Sequence, residues 1–331
     1  MSVGIDGCFQ LLKQEFEKEE MKTLVHDFLK KARYSPKWML YSDYCLDDKN
    51  KPNDVLTFVL IPFISEDKYL ELEQRIKETQ PVDIKHTNNI SEEFMSYIKT
   101  QAVFSFSFIV NDRHKLFGAN EKEQIKTIEQ TLTNLKNAYT RWRDNAINKE
   151  QEERYKDYIS KINSQLRDIF LKKKVKDQID VLLITMLAAY YTASILKLLP
   201  DLQLFGWFPD RDKTNETCGQ MAVPIFNTYQ YEFLGAKQYQ FCASKPDSSV
   251  VPFYDNENRI ADIICGTLAD YNIKENLISK DKFDTVLQGL MADNMYVKVY
   301  RFFIDEAGTH MGVLKISKLP LKEKEDKSKE S

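Results

Sequence analysis

The sequence predicts an α/β protein, a mixed β-sheet flanked by helices, into which a long antiparallel helical hairpin is inserted. Three observations predict it. Short β-rich runs alternate with amphipathic helical patterns in both halves of the chain, as expected of a sheet covered by helices. Between those halves, Ile125, Ile128, Leu132, Leu135, Tyr139 and Trp142 step by three and four residues, and Tyr155, Ile159, Ile162, Leu166 and Ile169 follow the same rule. The composition of the 331 residues, 43% hydrophobic, 29% charged and 12% aromatic, excludes collagen-like, low-complexity and wholly disordered chains.

Each element can be justified in turn. Segment 1–36 carries an amphipathic helix over residues 8–31, with Phe9, Leu12, Phe16, Leu24, Val25 and Phe28 near a 3.6-residue period, ended before Pro36. Segment 37–118 is the first half of the core. It holds strands at 37–43 and 55–63 around the polar loop 47–54, helices at 66–79 and 91–100, and a third, alternating strand at 102–110. Segment 119–175 is the hairpin, joined around residues 145–149.

Segment 176–314 completes the core. A helix at 177–198 ends at Pro200, and a fourth strand at 202–208 stops at Pro209-Asp210-Arg211-Asp212. A helix within 221–234, a fifth strand at 239–243, helices at 256–270 and 282–293 and a strand at 295–304 follow. Residues 315–331 are charged and nearly free of aromatics, so a disordered tail is expected. The apolar run 179–199 is long enough to cross a bilayer core of about 30 Å. Asp180 and Lys197 near its ends, and the hydroxyl residues within it, favour a buried core helix and no membrane partner.

Net charge is −3, so any polyanion site must be a local patch. The five cysteines are odd in number and lack a CxxC spacing, and Met1 to Gln10 show no basic-then-apolar leader. A reduced, cytoplasmic protein is expected, in which the Asn89 and Asn215 sequons carry no glycan. The four histidines have no metal-ligand spacing, and no phosphate-cradling glycine loop occurs. Cys218 looks exposed and is a weak candidate nucleophile.

The chemistry-bearing candidates are carboxylates. Asp43 ends the first strand, Asp210 follows the fourth, and Asp262 lies inside the helix beside Ile260, Ile263 and Ile264. In open sheets, sites gather beyond the carboxyl ends of strands, so Asp43 and Asp210 meet if their strands are neighbours. Carboxylates about 4 Å apart repel by roughly 4 kcal/mol at an effective dielectric near 20, so a proton or a cation must neutralise them. All-oxygen ligation suits Mg²⁺ or Mn²⁺ acting on a phosphodiester, with Asp212, in the same turn as Asp210, as a supplementary ligand. The plain alternatives are a solvated strand end, a common turn composition and an ordinary helix face. Lys172, Lys173, Lys174 and Lys176 form a basic patch that could track a nucleic-acid backbone or simply be a solvated helix face.

The order hairpin, third strand, fourth strand ending in Asp, fifth strand and a helix with an embedded Asp resembles the ribonuclease-H-like superfamily. LYSDYCL (residues 40–46) and NRIADIICGTLADY (residues 258–271) are similar to the opening strand and the closing ADxxxG helix of a poorly characterised prokaryotic branch. The resemblance implies a metal-dependent nuclease with Asp43, Asp210 and Asp262 as the catalytic ligands, and Asp180, near the start of the core helix, as the best match for the family's further acidic metal ligand. That branch opens with Asp-Glu-Ser-Gly, whereas Asp43 is followed by Tyr44, Cys45 and Leu46. Two readings therefore stand: a nuclease, or a non-catalytic scaffold using residues 120–174 for partner binding or self-association.

Overall fold

A strand covered on both faces must be apolar along its length, and residues 55–62 (VLTFVLIP) meet that requirement. In a computed structural model, which describes residues 4–210, 216–235, 237–243 and 253–318, this run is β2 (Val55–Pro62), buried throughout. With it lie β1 (Lys37–Cys45), β3 (Phe104–Ile109), β4 (Leu204–Pro209), β5 (Gln240–Ala243), β6 (Val297–Asp305) and β7 (Gly308–Leu314). Among the described residues they form one mixed sheet in the order β5-β4-β1-β2-β3-β6-β7. β1 to β2 and β2 to β3 are antiparallel, while β4 lies parallel to β1 and β5 parallel to β4. β6 is parallel to β3, and β7 returns antiparallel to β6.

Strand periodicity divides the core in two. Trp38 and Leu40 of β1 and Phe104, Phe106 and Phe108 of β3 point to one face. There they meet α1 (Ile5–Glu17), α2 (Glu19–Lys31), α5 (Glu121–Asp144), α6 (Lys149–Phe170), α7 (Val175–Leu196) and α8 (Ala222–Leu234). Phe106 stacks on Tyr191 of α7 with ring centroids 4.2 Å apart. Tyr41 of β1 and Val55, Val59 and Ile61 of β2 point to the other face. Over it lie α3 (Glu66–Thr79), α4 (Glu92–Thr100), α9 (Asp255–Asp270) and α10 (Asp281–Val286). α7 is long and apolar enough to cross a membrane, yet 94% of its most apolar stretch is buried within the protein.

α9 crosses β1 and β2, and its carboxyl end is tied to the loop between them. Asn53 donates through Nδ2 to the carbonyls of Leu268 (2.9 Å) and Tyr271 (2.7 Å), satisfying acceptors that a helix end leaves free. Lys51 pairs with Asp270 at 2.7 Å across the same junction. The helix is thereby fixed over the strand that carries Asp43.

Four features differ from the sequence reading. The amino-terminal segment is two helices, broken at Lys18, which adopts an extended conformation (φ −66°, ψ 138°) within the charged run 15–20. A seventh strand, β7, follows the last strand anticipated. Its turn depends on Gly308 at φ 126°, and its half-exposed residues lack the alternation that marks a strand. Residues 315–318 belong to the described chain, and the Ile316 carbonyl accepts from the Asp293 amide at 3.0 Å; the remainder of the anticipated tail lies outside the described residues. The helix read over 282–293 is α10 followed by a π-helical turn at Leu287–Met291.

α5 and α6 are joined by residues 145–148 and pack along one another. Tyr139 and Tyr155 stack near the join, and Lys172 beyond α6 lies 3.6 Å from Glu121 at the start of α5. Their apolar seams are buried within the protein: Ile128, Leu132, Leu135, Ile162 and Ile169 are at most 3% exposed.

Candidate functional site

β1 and β4 are parallel neighbours, so their carboxyl ends emerge side by side. Ser42 is paired with Pro209, and the Asp210 amide donates to the Ser42 carbonyl at 2.8 Å. Asp43 and Asp210 therefore follow matched positions on adjacent strands. Asp43 shares its side of β1 with Tyr41, the face that α9 covers. It is 9% exposed.

Asp262 comes down on this group from α9. Ile260, Ile263 and Ile264 anchor the helix to the sheet, and the Asp262 side chain retains 14% exposure. Burial, reinforced by the charge of Asp43 and partly offset by Lys85, pushes its carboxyl up to about 8, with Asp83 and Asp210 adding in the same direction. The three aspartates expected to meet are thus within electrostatic reach of one another, on one face. They have not closed on a common ligand: among the described residues, no group of three or more His, Cys, Asp or Glu side chains is gathered tightly enough to hold a metal ion.

Lys85 is a participant that the sequence reading missed. It sits on a single 3₁₀ turn, Ile84–His86, capped by Asp83, whose Oδ1 accepts from the Lys85 amide at 2.7 Å. Its Nζ lies 4.0 Å from Asp262 Oδ1, with the side chain 62% exposed. Desolvation opposes its charge, but Asp262, Asp43, Asp83 and Asp210 together hold the ammonium above its ordinary range. Lys282 pins the turn by donating to the carbonyls of Ile84 (2.5 Å) and Thr87 (2.8 Å).

The ADxxxG pattern has a local explanation here. A Cβ on Gly266 would stand 3.2 Å from the Phe283 ring and 3.9 Å from Ile84 Cδ1. One turn beyond Asp262, the glycine lets α9 settle against α10 and the turn that bears Lys85. No periodicity could have flagged Lys85, because it stands 177 positions from Asp262 in the chain.

The other candidates lie elsewhere or are committed. Asp180 is on α7, which covers the opposite face. Its Oδ1 accepts from Arg113 Nε at 2.5 Å, and the neighbours named in its electrostatics are Arg113, Asp47 and Lys176. Arg113 also holds Asp54 (2.5 Å) and Asp47 (2.7 Å), making a buried clasp between the β1–β2 loop, α7 and the 3₁₀ turn Arg113–Phe117. Asp180 is therefore placed in this clasp and not with Asp262. Asp212 lies outside the described residues. Of the lysine patch, Lys172 pairs with Glu121, Lys174 with Asp168 (3.9 Å) and Lys176 with Asp47 (2.6 Å), while Lys173 is exposed. Cys218, expected to be exposed, is 4% exposed, and burial pushes its thiol up to about 12, which removes the thiolate a nucleophile needs.

The sheet and its two helical layers define the chain as an α/β protein with acidic side chains converging at the ends of two parallel central strands. No family model, curated protein or solved structure matches the chain.

Proposed function

We propose that this protein is a divalent-metal-dependent nuclease of ribonuclease-H-like architecture, with α5 and α6 forming an inserted antiparallel hairpin. The observation that carries the reading is the convergence of Asp43, Asp210 and Asp262 on one face of the sheet, from two adjacent parallel strand ends and a helix laid across them. The strand order β5-β4-β1-β2-β3, with β2 alone reversed among the five, supports the architecture.

The donor set is all oxygen, which suits Mg²⁺ or Mn²⁺. An ion held there would polarise a phosphodiester oxygen and activate water. Asp43 and Asp210, fixed by strand register, are the rigid ligands. Asp262 is the one whose charge burial and the neighbouring Asp43 disfavour and a cation would stabilise. Lys85 balances part of that charge on an exposed arm, so an arriving cation competes with it.

The test is hydrolysis of plasmid DNA, single-stranded DNA and single-stranded RNA by the full chain with Mn²⁺. Wild type is expected to cleave at least one of them, and Asp43→Asn to reduce cleavage to background. Equal cleavage by wild type and variant would assign the activity elsewhere.

A second reading, a non-catalytic scaffold on the same fold, is favoured by one observation. Tyr44, Cys45 and Leu46 stand where an additional carboxylate and a flexible glycine would follow the first aspartate, and Tyr44 is committed to a 2.7 Å hydrogen bond with Ser42. Under that reading wild type binds no Mn²⁺ and cleaves nothing.

A further inference from the structure

A second concave region lies well away from the aspartates. It is a cavity of about 390 Å³ between the joined ends of α5 and α6, the α8 helix and the start of β5. Phe241 of β5 pairs with Phe205 near the start of β4, whereas Asp210 follows that strand's end. At about 3.3 Å per residue, the two regions are separated by roughly 15 Å along β4 alone.

Its walls are aromatic. Trp142 and Tyr155 incline at 53° with centroids 5.8 Å apart, and Tyr231 meets Trp142 edge-on at 6.1 Å. Tyr231 is 41% exposed despite this contact, so part of its ring is presented to solvent.

Its polar groups are neutral amides with bonding capacity to spare. Asn145 donates its amide to the Arg141 carbonyl at 2.7 Å, leaving the side-chain oxygen as an acceptor. Gln151 accepts from the Ile147 amide at 3.0 Å, leaving its NH₂ as a donor. Asn227 accepts from Tyr239 at 3.3 Å and likewise retains its NH₂. Gln238 adds a fourth amide to the lining. Among the described residues of the lining, Lys237 is the one cation, turned onto the carbonyls of Lys197 (2.9 Å) and Leu199 (2.6 Å), and none is a carboxylate.

These features select the ligand by elimination. Among the described lining residues a cation finds no counter-charge, and an anion finds a single ammonium, Lys237, with two of its three donors already given to carbonyls. A hydrocarbon would strand several amides without partners, at a cost comparable to lost hydrogen bonds. What remains is a neutral, flat molecule with donors and acceptors on its rim. Aromatic stacking with Asn and Gln at the edge is the chemistry by which unpaired bases are held.

We propose that this cavity binds a nucleobase, presented by a free nucleoside or by an unpaired nucleotide of a strand. The site stands apart from the aspartates, so the proposal does not depend on their role.

Tryptophan fluorescence provides a local probe, since Trp38 and Trp207 are 0% exposed and Trp142 is the third of the three tryptophans. Full-length protein is titrated with adenosine, a dA hexamer, an abasic hexamer and cellobiose. Saturable quenching by adenosine and by the dA strand is expected, with Kd weakened about tenfold or more in Tyr231→Ala, which removes a stacking partner, and in Asn145→Ala, which removes a hydrogen-bond acceptor. Quenching by the strand but not by adenosine assigns the base to a strand. Absence of quenching by both overturns the proposal, as does equal binding of the abasic strand or of cellobiose. Near-UV circular dichroism verifies that the variants fold, and Asp43→Asn is expected to bind adenosine like wild type, which separates this site from the nuclease reading.

Discussion

Two acidic groups occupy the same end of the sheet on opposite faces, and they are built on opposite principles. On the α7 face, Asp47, Asp54 and Asp180 converge on one buried guanidinium, that of Arg113, with Lys176 joining at Asp47. Asp47 is held below its usual range by Lys176 and Arg113 against the cost of burial. Desolvation still raises Asp180, but Arg113 offsets much of it. On the α9 face, the buried Asp262 faces other aspartates, and its nearby cation, Lys85, stands off at 4.0 Å on an exposed arm. The first group is a clasp that joins loop, turn and helix. The second sets carboxylates against one another and so raises the Asp262 carboxyl, a perturbation that clusters at functional sites.

The largest effect that could break this comparison is at Arg113. Arg113→Met leaves three carboxylates around a buried position and is expected to destabilise the protein by about 3–5 kcal/mol in urea unfolding. A loss under 1 kcal/mol would remove the distinction between clasp and site.

Asp262→Asn is expected to act in the opposite direction. Removing a carboxyl pushed up to about 8 stabilises the fold at neutral pH by on the order of 3 kcal/mol, seen as a higher Tm. The same substitution on the clasp side, Asp180→Asn, is expected to move Tm less, because Arg113 offsets part of the burial cost that raises that carboxyl.

Glu257 sharpens the picture along the same helix. It is fully buried, neither carboxylate oxygen has a hydrogen-bond partner of good geometry, and burial pushes it up to about 7. An acid whose folded pKa is raised costs nothing below the unfolded value and most above the folded one, so stability falls as pH rises from about 4.5 to about 7. Glu257→Gln is expected to flatten that decline and to add about 2–3 kcal/mol at pH 8 but almost nothing at pH 4. Identical pH profiles for variant and wild type would contradict it.

The smallest expected effect on stability is at Lys85. Because its side chain is mostly exposed, Lys85→Met is expected to cost less than about 1 kcal/mol, while Mn²⁺ binds more tightly for want of a competitor. Weaker binding in this variant would instead make Lys85 a support of the site.

The sequence disclosed the sheet more readily than the site. β3 announces itself by Phe104, Phe106 and Phe108 alternating with Ser105 and Ser107, and α5 and α6 by their repeating seams, because both patterns are local. β7 was hidden, since its stability comes from pairing with β6 and not from its own alternation. Asp43, Asp210 and Asp262 were legible because strand ends and an apolar helix stripe mark where carboxylates can matter. Asp180 entered on the family resemblance alone, as an acid near the start of the core helix. Its assignment was settled by Arg113, a residue 67 positions away whose role depends wholly on tertiary packing. Lys85 was illegible for the same reason.

Calorimetric titration of Mn²⁺ into wild type and the Asp43→Asn/Asp262→Asn double variant tests the central claim most directly. Saturable binding by wild type that disappears in the folded double variant is the predicted result. Binding of equal strength in both proteins, or none in wild type, would contradict it.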